Sequence, residues 1–419
     1  MRFWIENEGK IVALYVKKFG GSSVATPEKM RNIARRVLRE RQPGDKIVIV
    51  VSAMGDSTDD LLALAGEVTK DHYGREMDML LTTGEQVSIS LMAMTFQSLG
   101  VPAVSLTGAQ AGIIAEGGFG KGDIIDVRPD RVFQELEKGN VVIVAGFQGI
   151  TKEGDVITLG RGGSDTTAVA LAGAMKADMC EIFTDVDGVY SADPRYVPDA
   201  QKMDEITNEE MLEMARLGAG VMQPKSVEMG MRYHIPIHVR STFTNQVGTI
   251  IREECMMNKE QLAVRGVAQD SHVAKIAVLG VRNIPGVAFS IFDSLAKNHI
   301  IVDMIVQSVR EANDHKTDII FTIDNNDLDD AKKVLEKMKE EGTIPCAIYS
   351  DDVAKVSIVG AGMLGAPGVA ARMFGALAKA DINIDIIGTS EISISCLIPR
   401  EDLTKAVQSI HEEFFGEDK

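Results

Sequence analysis

The chain has 419 residues, 45% of them hydrophobic, enough for separate cores in two or three domains. Its 44 basic and 61 acidic residues leave a net charge of −17, which repels nucleic acid and anionic membranes, so neither is expected as a partner. No run of about eighteen uncharged apolar residues exists to cross a bilayer, and the first residues lack the apolar segment of a secretion signal, so the cytoplasm is the expected compartment.

Residues 1–12 form an expected N-terminal extension. Across 13–255, apolar strands alternate with amphipathic helices, the pattern of a mostly parallel sheet covered on both faces. An apolar run over 11–16 leads into Lys18-Phe19-Gly20-Gly21-Ser22-Ser23. Thr26-Pro27 then starts a helix expected over 27–41, with Met30, Ile33, Ala34, Val37 and Leu38 on one face. Further strands are expected at 47–51, 101–106, 141–145, 179–183 and 235–239. Helices are expected near 58–70, 84–99, 130–137, 165–175 and 208–217. Thr207 and Glu210 make a capping box for the last helix, and Gly218 stops it. Residues 152–155 turn a hairpin that delivers 156–159 into a second glycine-rich loop.

That loop, Gly160-Arg161-Gly162-Gly163-Ser164-Asp165-Thr166-Thr167, carries the most chemistry. Its glycines let backbone N–H groups approach an anion, and Ser164, Asp165 and Thr166 are N-cap residue types ahead of an apolar helix. Arg161 supplies a second positive element. The loop lacks the Gly-Lys-Ser/Thr of a Walker A motif, and Asp165 stands where a dinucleotide fingerprint needs its last glycine. The Lys18 turn is a similar strand-to-helix junction, and a third strand ends in Thr184-Asp185, followed by Tyr190 and Arg195. Taken singly, these are a tight turn, a snorkelling lysine and an Asx-turn. Three such strand ends in one domain point to a nucleotide-phosphate enzyme.

Cys180, Cys255, Cys346 and Cys396 are far apart without metal-ligand spacing. Cys180, Cys346 and Cys396 sit in or near apolar runs and are expected as reduced packing residues. After the polar stretch 252–260 a repeat begins. Ala274-Lys275-Ile276 matches Ala354-Lys355-Val356, and Pro285-Gly286-Val287-Ala288 matches Pro367-Gly368-Val369-Ala370. Leu295-Ala296-Lys297 matches Leu377-Ala378-Lys379, and Asp303 matches Asp385. Two copies of a small α/β module are expected, over 265–348 and 349–419, with boundaries that can interleave. They serve packing or dimerisation, or else ligand sensing at the paired turns, where Asn283, Gln307 and Asn383 offer uncharged polar groups.

The blocks Lys-Phe-Gly-Gly-Ser-Ser, Thr83-Gly84-Glu85-Gln86, Gly-Arg-Gly-Gly-Ser-Asp-Thr-Thr and Thr-Asp-Val-Asp-Gly-Val-Tyr, in that order, resemble the aspartate kinase family. The doubled C-terminal module, with Asn383-Ile384-Asp385 and Thr389-Ser390-Glu391-Ile392, resembles its tandem ACT domains. The likeness runs from about residue 16 to 412. It implies an α/β fold, with an amino acid kinase (carbamate-kinase-like) domain and two α+β ferredoxin-like ACT domains. It also implies transfer of the ATP γ-phosphoryl group to the side-chain carboxylate of L-aspartate, with Mg2+ entering as MgATP and no separate metal site.

By matching position, Lys18 would neutralise the transferring phosphoryl group and Asp165 would orient the reacting groups. Arg161 would pair with the substrate α-carboxylate and Glu85 would hold its α-ammonium; without the resemblance, Glu85 is a first-turn acid favoured by the helix dipole. Ser52, Gly162, Gly163 and Ser164 complete the implied substrate site. Lys18, Phe19, Gly20, Gly21, Thr184, Asp185, Tyr190 and Arg195 form the implied nucleotide set. Asn283, Gly286, Ala288 and Gln307 in the first module, with Asn383, Ile384 and Ser390 in the second, are implied effector contacts for lysine, threonine or both. The resemblance also implies a homodimer or higher homo-oligomer through the ACT domains, and Met256-Met257 would suit the start of a separate regulatory subunit. One departure stands after Gly218-Ala219, where some relatives carry an ATP-reaching lysine and this chain has Gly220; Lys225 occupies a position often held by arginine. The competing functions are a kinase for another amino acid, such as glutamate, and a non-catalytic amino-acid sensor. Loss of Lys18 or Asp165 would mark the sensor, and both are present.

Overall fold

The computed structural model describes residues 4–5, 11–70, 74–255, 263–308 and 316–416. Met256 and Met257 lie outside the described residues. The chain forms two compact units, one of residues 1–189, 202–215 and 220–258, the other of 190–201, 216–219 and 259–419.

The first unit is built on an eight-stranded sheet. Its order is Glu205–Thr207, Thr249–Arg252, Ile237–Ser241, Met179–Thr184, Leu14–Phe19, Lys46–Val51, Val141–Ala145, Ala103–Leu106. Only the Ile237–Ser241 and Thr249–Arg252 pair is antiparallel. The runs Val-Val-Ile-Val-Ala at 141–145 and Ile-Val-Ile-Val-Val at 47–51 are buried throughout, as central parallel strands must be when helices cover both faces. Strand alternation sends the neighbouring Lys17 and Lys18 to opposite faces. Lys17 joins a buried network with Glu181, Glu40 and Arg240 against the helix Pro27–Glu40. Lys18 turns to the face covered by the helix Gly163–Met175. Phe19 stacks on Phe183 in the core, with ring centroids 4.6 Å apart.

The Gly163–Met175 helix is buried at all but one of its positions and is made of Gly, Ala, Ser, Thr, Val and Leu around one Asp and one Met. Small residues are needed there. A methyl group on Gly173 would lie 2.3 Å from Tyr233 of the helix Pro224–Tyr233. This helix starts earlier than expected, with its N-cap at Gly162 in the left-handed region, so Ser164, Asp165 and Thr166 fill the first turn and do not cap it. The expected Thr207–Glu210 capping box is present: Glu210 N–H donates to Thr207 Oγ1 at 3.2 Å and Thr207 N–H to Glu210 Oε2 at 3.3 Å. The hairpin at 152–155 also forms, pairing Val156–Thr158 with Gln148–Ile150. These strands join Ile113–Glu116 and Asp123–Val127 in a second, four-stranded sheet that the sequence pattern did not predict.

In the second unit each repeat forms a four-stranded antiparallel sheet, with strand exchange between them. Gly266–Asp270 pairs with Val353–Val359 of the second copy, and Cys346–Ser350 pairs with Val273–Arg282 of the first. Gly286 and Gly368 occupy equivalent left-handed N-cap positions, φ 96° and 94°, where the repeated Pro-Gly turns enter the helices Val287–Lys297 and Val369–Lys379. The repeated charges trade partners: Lys355 contacts Asp303 at 2.5 Å, and Lys275 pairs with Asp385. Among the cysteines, Cys180 and Cys396 are buried and free as expected. Cys346 is exposed, because its strand is a sheet edge, so it is not a packing residue.

Removing the capping hydroxyl by Thr207→Ala is expected to cost about 1 kcal/mol of stability in urea unfolding followed by circular dichroism; an unchanged midpoint would contradict the capping role.

Candidate active site

A cavity of 920 Å3 opens in the first unit at the carboxyl ends of the parallel strands, where α/β sheets bind ligands. Lys18, Gly20 and Gly21 line it from one strand end, Ser52 from the next, and Glu85 from the helix Thr83–Ser98. Arg161, Gly162, Gly163, Ser164 and Asp165 line it from the second glycine loop. Residues distant in sequence therefore share one wall.

Lys18 Nζ lies 2.5 Å from Asp165 Oδ1, with the two side chains only 12% and 13% exposed. The contact is an ion pair not aligned as a hydrogen bond, since Oδ1 has no hydrogen-bond partner among the described residues. Ser52 Oγ donates to Ser164 Oγ at 2.9 Å, linking the strand end at 51–52 to the helix N-terminus. Gly162 has φ 68°, and a methyl group there would sit 2.1 Å from Gln223 Cγ. A methyl group on Gly21 would lie 2.9 Å from the Ala53 carbonyl oxygen. Neither position has room for a side chain.

Glu85 is the electrostatic exception. It is 2% exposed; its Oε1 accepts the Ala53 N–H at 2.9 Å, while Oε2 has no hydrogen-bond partner among the described residues. Burial pushes its carboxyl up to about 7, against the smaller opposing effect of backbone hydrogen bonds. A buried, half-satisfied carboxylate in a cavity wall suits an incoming cation.

The remaining expected residues are placed differently. Phe19 is in the core and does not line the cavity; its carbonyl accepts the Ser52 N–H at 3.2 Å. Thr184 ends the strand beside Leu14–Phe19 and Asp185 follows it, at the same carboxyl end of the sheet as Gly20 and Gly21, but neither lines the cavity. Tyr190 and Arg195 belong to the second compact unit, where Arg195 pairs with Asp193 at 2.6 Å. Asn283, Gly286, Ala288, Gln307, Asn383 and Ser390 are exposed and Ile384 is half-buried. Gly388, in the strand just before Ser390, packs against Met304, three residues before Gln307. Asp78, Phe119, Lys121 and Phe147 also line the cavity and were missed. Their one sequence signal was the glycine-rich stretch 117–122 around Phe119 and Lys121, which resembles any exposed turn.

The fold and cavity define an amino acid kinase joined to paired ACT domains. The amino acid kinase family model matches residues 13–241, and an ACT domain model matches 276–338 and 356–414. The aspartokinase of Mycolicibacterium smegmatis is 49% identical over 407 residues, covering 96% of each chain. Among solved structures, E. coli aspartokinase III in complex with aspartate and ADP (R-state) matches at 26% identity and TM-score 0.79, covering 96% of this chain and 100% of that one. The same protein in complex with lysine and aspartate (T-state) matches at 26% identity and TM-score 0.74, covering 96% and 99%. The chain belongs to the aspartokinase family. No helix among the described residues is long and apolar enough to cross a membrane.

The raised Glu85 pKa has a definite sign for stability. Between about 4.5 and about 7 the folded state holds a proton that the unfolded state has lost, so stability falls as pH rises through that window and levels off above it. Glu85→Gln should remove this decline, worth up to about 3 kcal/mol. Urea unfolding at pH 5 and pH 8 checks it; an equal pH dependence in both proteins would contradict the assignment.

Proposed function

We propose that the chain transfers the γ-phosphoryl group of ATP to the β-carboxylate of L-aspartate. The products would be 4-phospho-L-aspartate and ADP, in the first step towards lysine, threonine and methionine, in the cytoplasm. The observation that carries the reading is the Lys18–Asp165 contact inside a cavity that also holds Glu85 and Arg161. A complex of E. coli aspartokinase III with aspartate and ADP supports the same pair of ligands.

The chemistry needs little from the protein beyond charge and position. The aspartate carboxylate is ionised at neutral pH, so no general base is required. Its oxygen attacks the γ-phosphorus, and the bond to the β,γ-bridging oxygen breaks to release ADP. The obstacle is repulsion between two anions, which fixed cations and N–H groups relieve. Lys18 would neutralise charge on the transferring group, and Asp165 would keep Lys18 directed. The backbone at 19–21 and the N-terminus of the Gly163–Met175 helix would cradle phosphate oxygens. Arg161 would grip the α-carboxylate with its planar fork, Glu85 would take the α-ammonium, and the Ser52–Ser164 hydroxyl pair would border the substrate. Thr184 and Asp185 would contact the nucleotide; Tyr190 and Arg195 follow by motif alone.

Among the described residues no three His, Cys, Asp or Glu side chains are grouped to hold a metal ion. Magnesium would enter with the nucleotide, held chiefly by its phosphates and water, and would supply further charge neutralisation.

The paired ACT modules would bind lysine, threonine or both, as the lysine complex of E. coli aspartokinase III supports for lysine, and would join chains into a homodimer or larger homo-oligomer. An effector inhibits only by favouring one of two conformations, and the coupling is reciprocal. Aspartate with ATP is therefore expected to weaken effector binding in calorimetry, and unchanged affinity would remove the regulatory reading.

An ATP-dependent hydroxamate assay tests the activity, with aspartate compared against glutamate. Lys18→Ala should lower kcat at least a thousandfold with a small change in aspartate KM, and Arg161→Ala should chiefly raise that KM, on the order of tenfold or more. Turnover of glutamate and not aspartate, or the opposite kinetic pattern, would overturn the reading.

A further inference from the structure

Asp78 is a buried carboxylate in the cavity wall, 1% exposed, on the short helix Arg75–Leu81. Its Oδ2 accepts the Gly120 N–H at 3.0 Å and the Thr158 N–H at 2.8 Å, and its Oδ1 accepts the Thr158 hydroxyl at 2.9 Å. All three donors are neutral groups, two backbone N–H and one hydroxyl. Thr158 ends the strand Val156–Thr158, two residues before Gly160, and its carbonyl accepts the Gly122 N–H at 2.8 Å. One carboxylate thus fastens together the tip of the hairpin between Ile113–Glu116 and Asp123–Val127 and the entry to the second glycine loop.

Neither loop is rigid by its own sequence. Gly117, Gly120, Gly160 and Gly162 all have positive φ, where the backbone has the most freedom to lose and gains least from local preference. The loops also touch: a methyl group on Gly160 would lie 3.2 Å from the Gly120 carbonyl oxygen. The residues that follow these two glycines are Lys121 and Arg161, exposed cations that line the same cavity. Neither forms an ion pair among the described residues.

We infer that Lys121 and Arg161 together form the anion site for the amino acid acceptor, and that Asp78 is the positioning residue that sets them side by side. This rests on the proposed acceptor role of Arg161 and adds a second cation and its anchor. Two adjacent cations suit a dicarboxylic amino acid, whose α-carboxylate must be held while the other carboxylate reacts.

The test is steady-state kinetics with aspartate and MgATP varied separately. Lys121→Met, which keeps the stem and removes the charge, should raise aspartate KM about fivefold or more and leave ATP KM within about twofold. Asp78→Ala should do the same more strongly. Asp78→Asn should restore most of the loss, because a turned Thr158 hydroxyl can accept from the new amide while the carbonyl oxygen keeps both N–H bonds. A purely structural role for Asp78 would shift both KM values and kcat together. If Asp78→Ala fails to fold, judged by circular dichroism, Lys121→Met and Asp78→Asn decide. An ATP-specific effect, or unchanged aspartate KM in Lys121→Met, overturns the inference. Should Arg161→Ala raise aspartate KM while Lys121→Met does not, the two-cation site fails and the Arg161 reading survives; no effect of Arg161→Ala sinks both.

Discussion

The contact between the Lys18 ammonium and the Asp165 carboxylate is the constraint around which the first unit is arranged. Two groups of opposite charge, each largely withdrawn from water, cost desolvation that their attraction offsets only when both are held in place. The protein holds them with parts that do not depend on a ligand. Lys18 sits on a central strand paired on both sides, and Asp165 sits in the first turn of a buried helix whose small residues let neighbouring elements close in. The adjacent Lys17 is tied to Glu181 on the opposite face. A chain with a net charge of −17 can then attract a polyphosphate locally, because the cations and N–H groups are concentrated at the carboxyl end of the sheet.

Glu85 complements that arrangement. A carboxylate with one oxygen unpartnered in a cavity wall is destabilised until a cation arrives. Under the proposed function the substrate's ammonium would relieve that cost, the only group of an amino acid able to do so. In the second unit, the crossed Lys275–Asp385 and Lys355–Asp303 pairs and the exchanged edge strands tie the two modules together.

Much of this was legible in the sequence, for identifiable reasons. Buried parallel strands such as 47–51 and 141–145 announce themselves as β-branched runs, and the Thr207–Glu210 box and the Gly286/Gly368 turns carry local chemistry that tertiary contacts do not override. The glycine loops gave the cavity, since positive φ and close approach leave few other residues possible. The short helix Arg75–Leu81 and the four-stranded sheet escaped because they are too brief to show a period. Asp78 escaped for another reason: its importance lies in three backbone and side-chain donors from distant segments, which no local pattern encodes. The N-cap of the Gly163–Met175 helix was misjudged because a left-handed glycine replaced a side-chain cap.

A double-mutant cycle on Lys18 and Asp165 tests the central claim most directly, with single-turnover phosphoryl transfer as the readout. If the two act as one unit, Lys18→Ala combined with Asp165→Ala should be about as slow as the slower single variant. Losses that simply multiply would mean that the two side chains act independently, and would contradict the account.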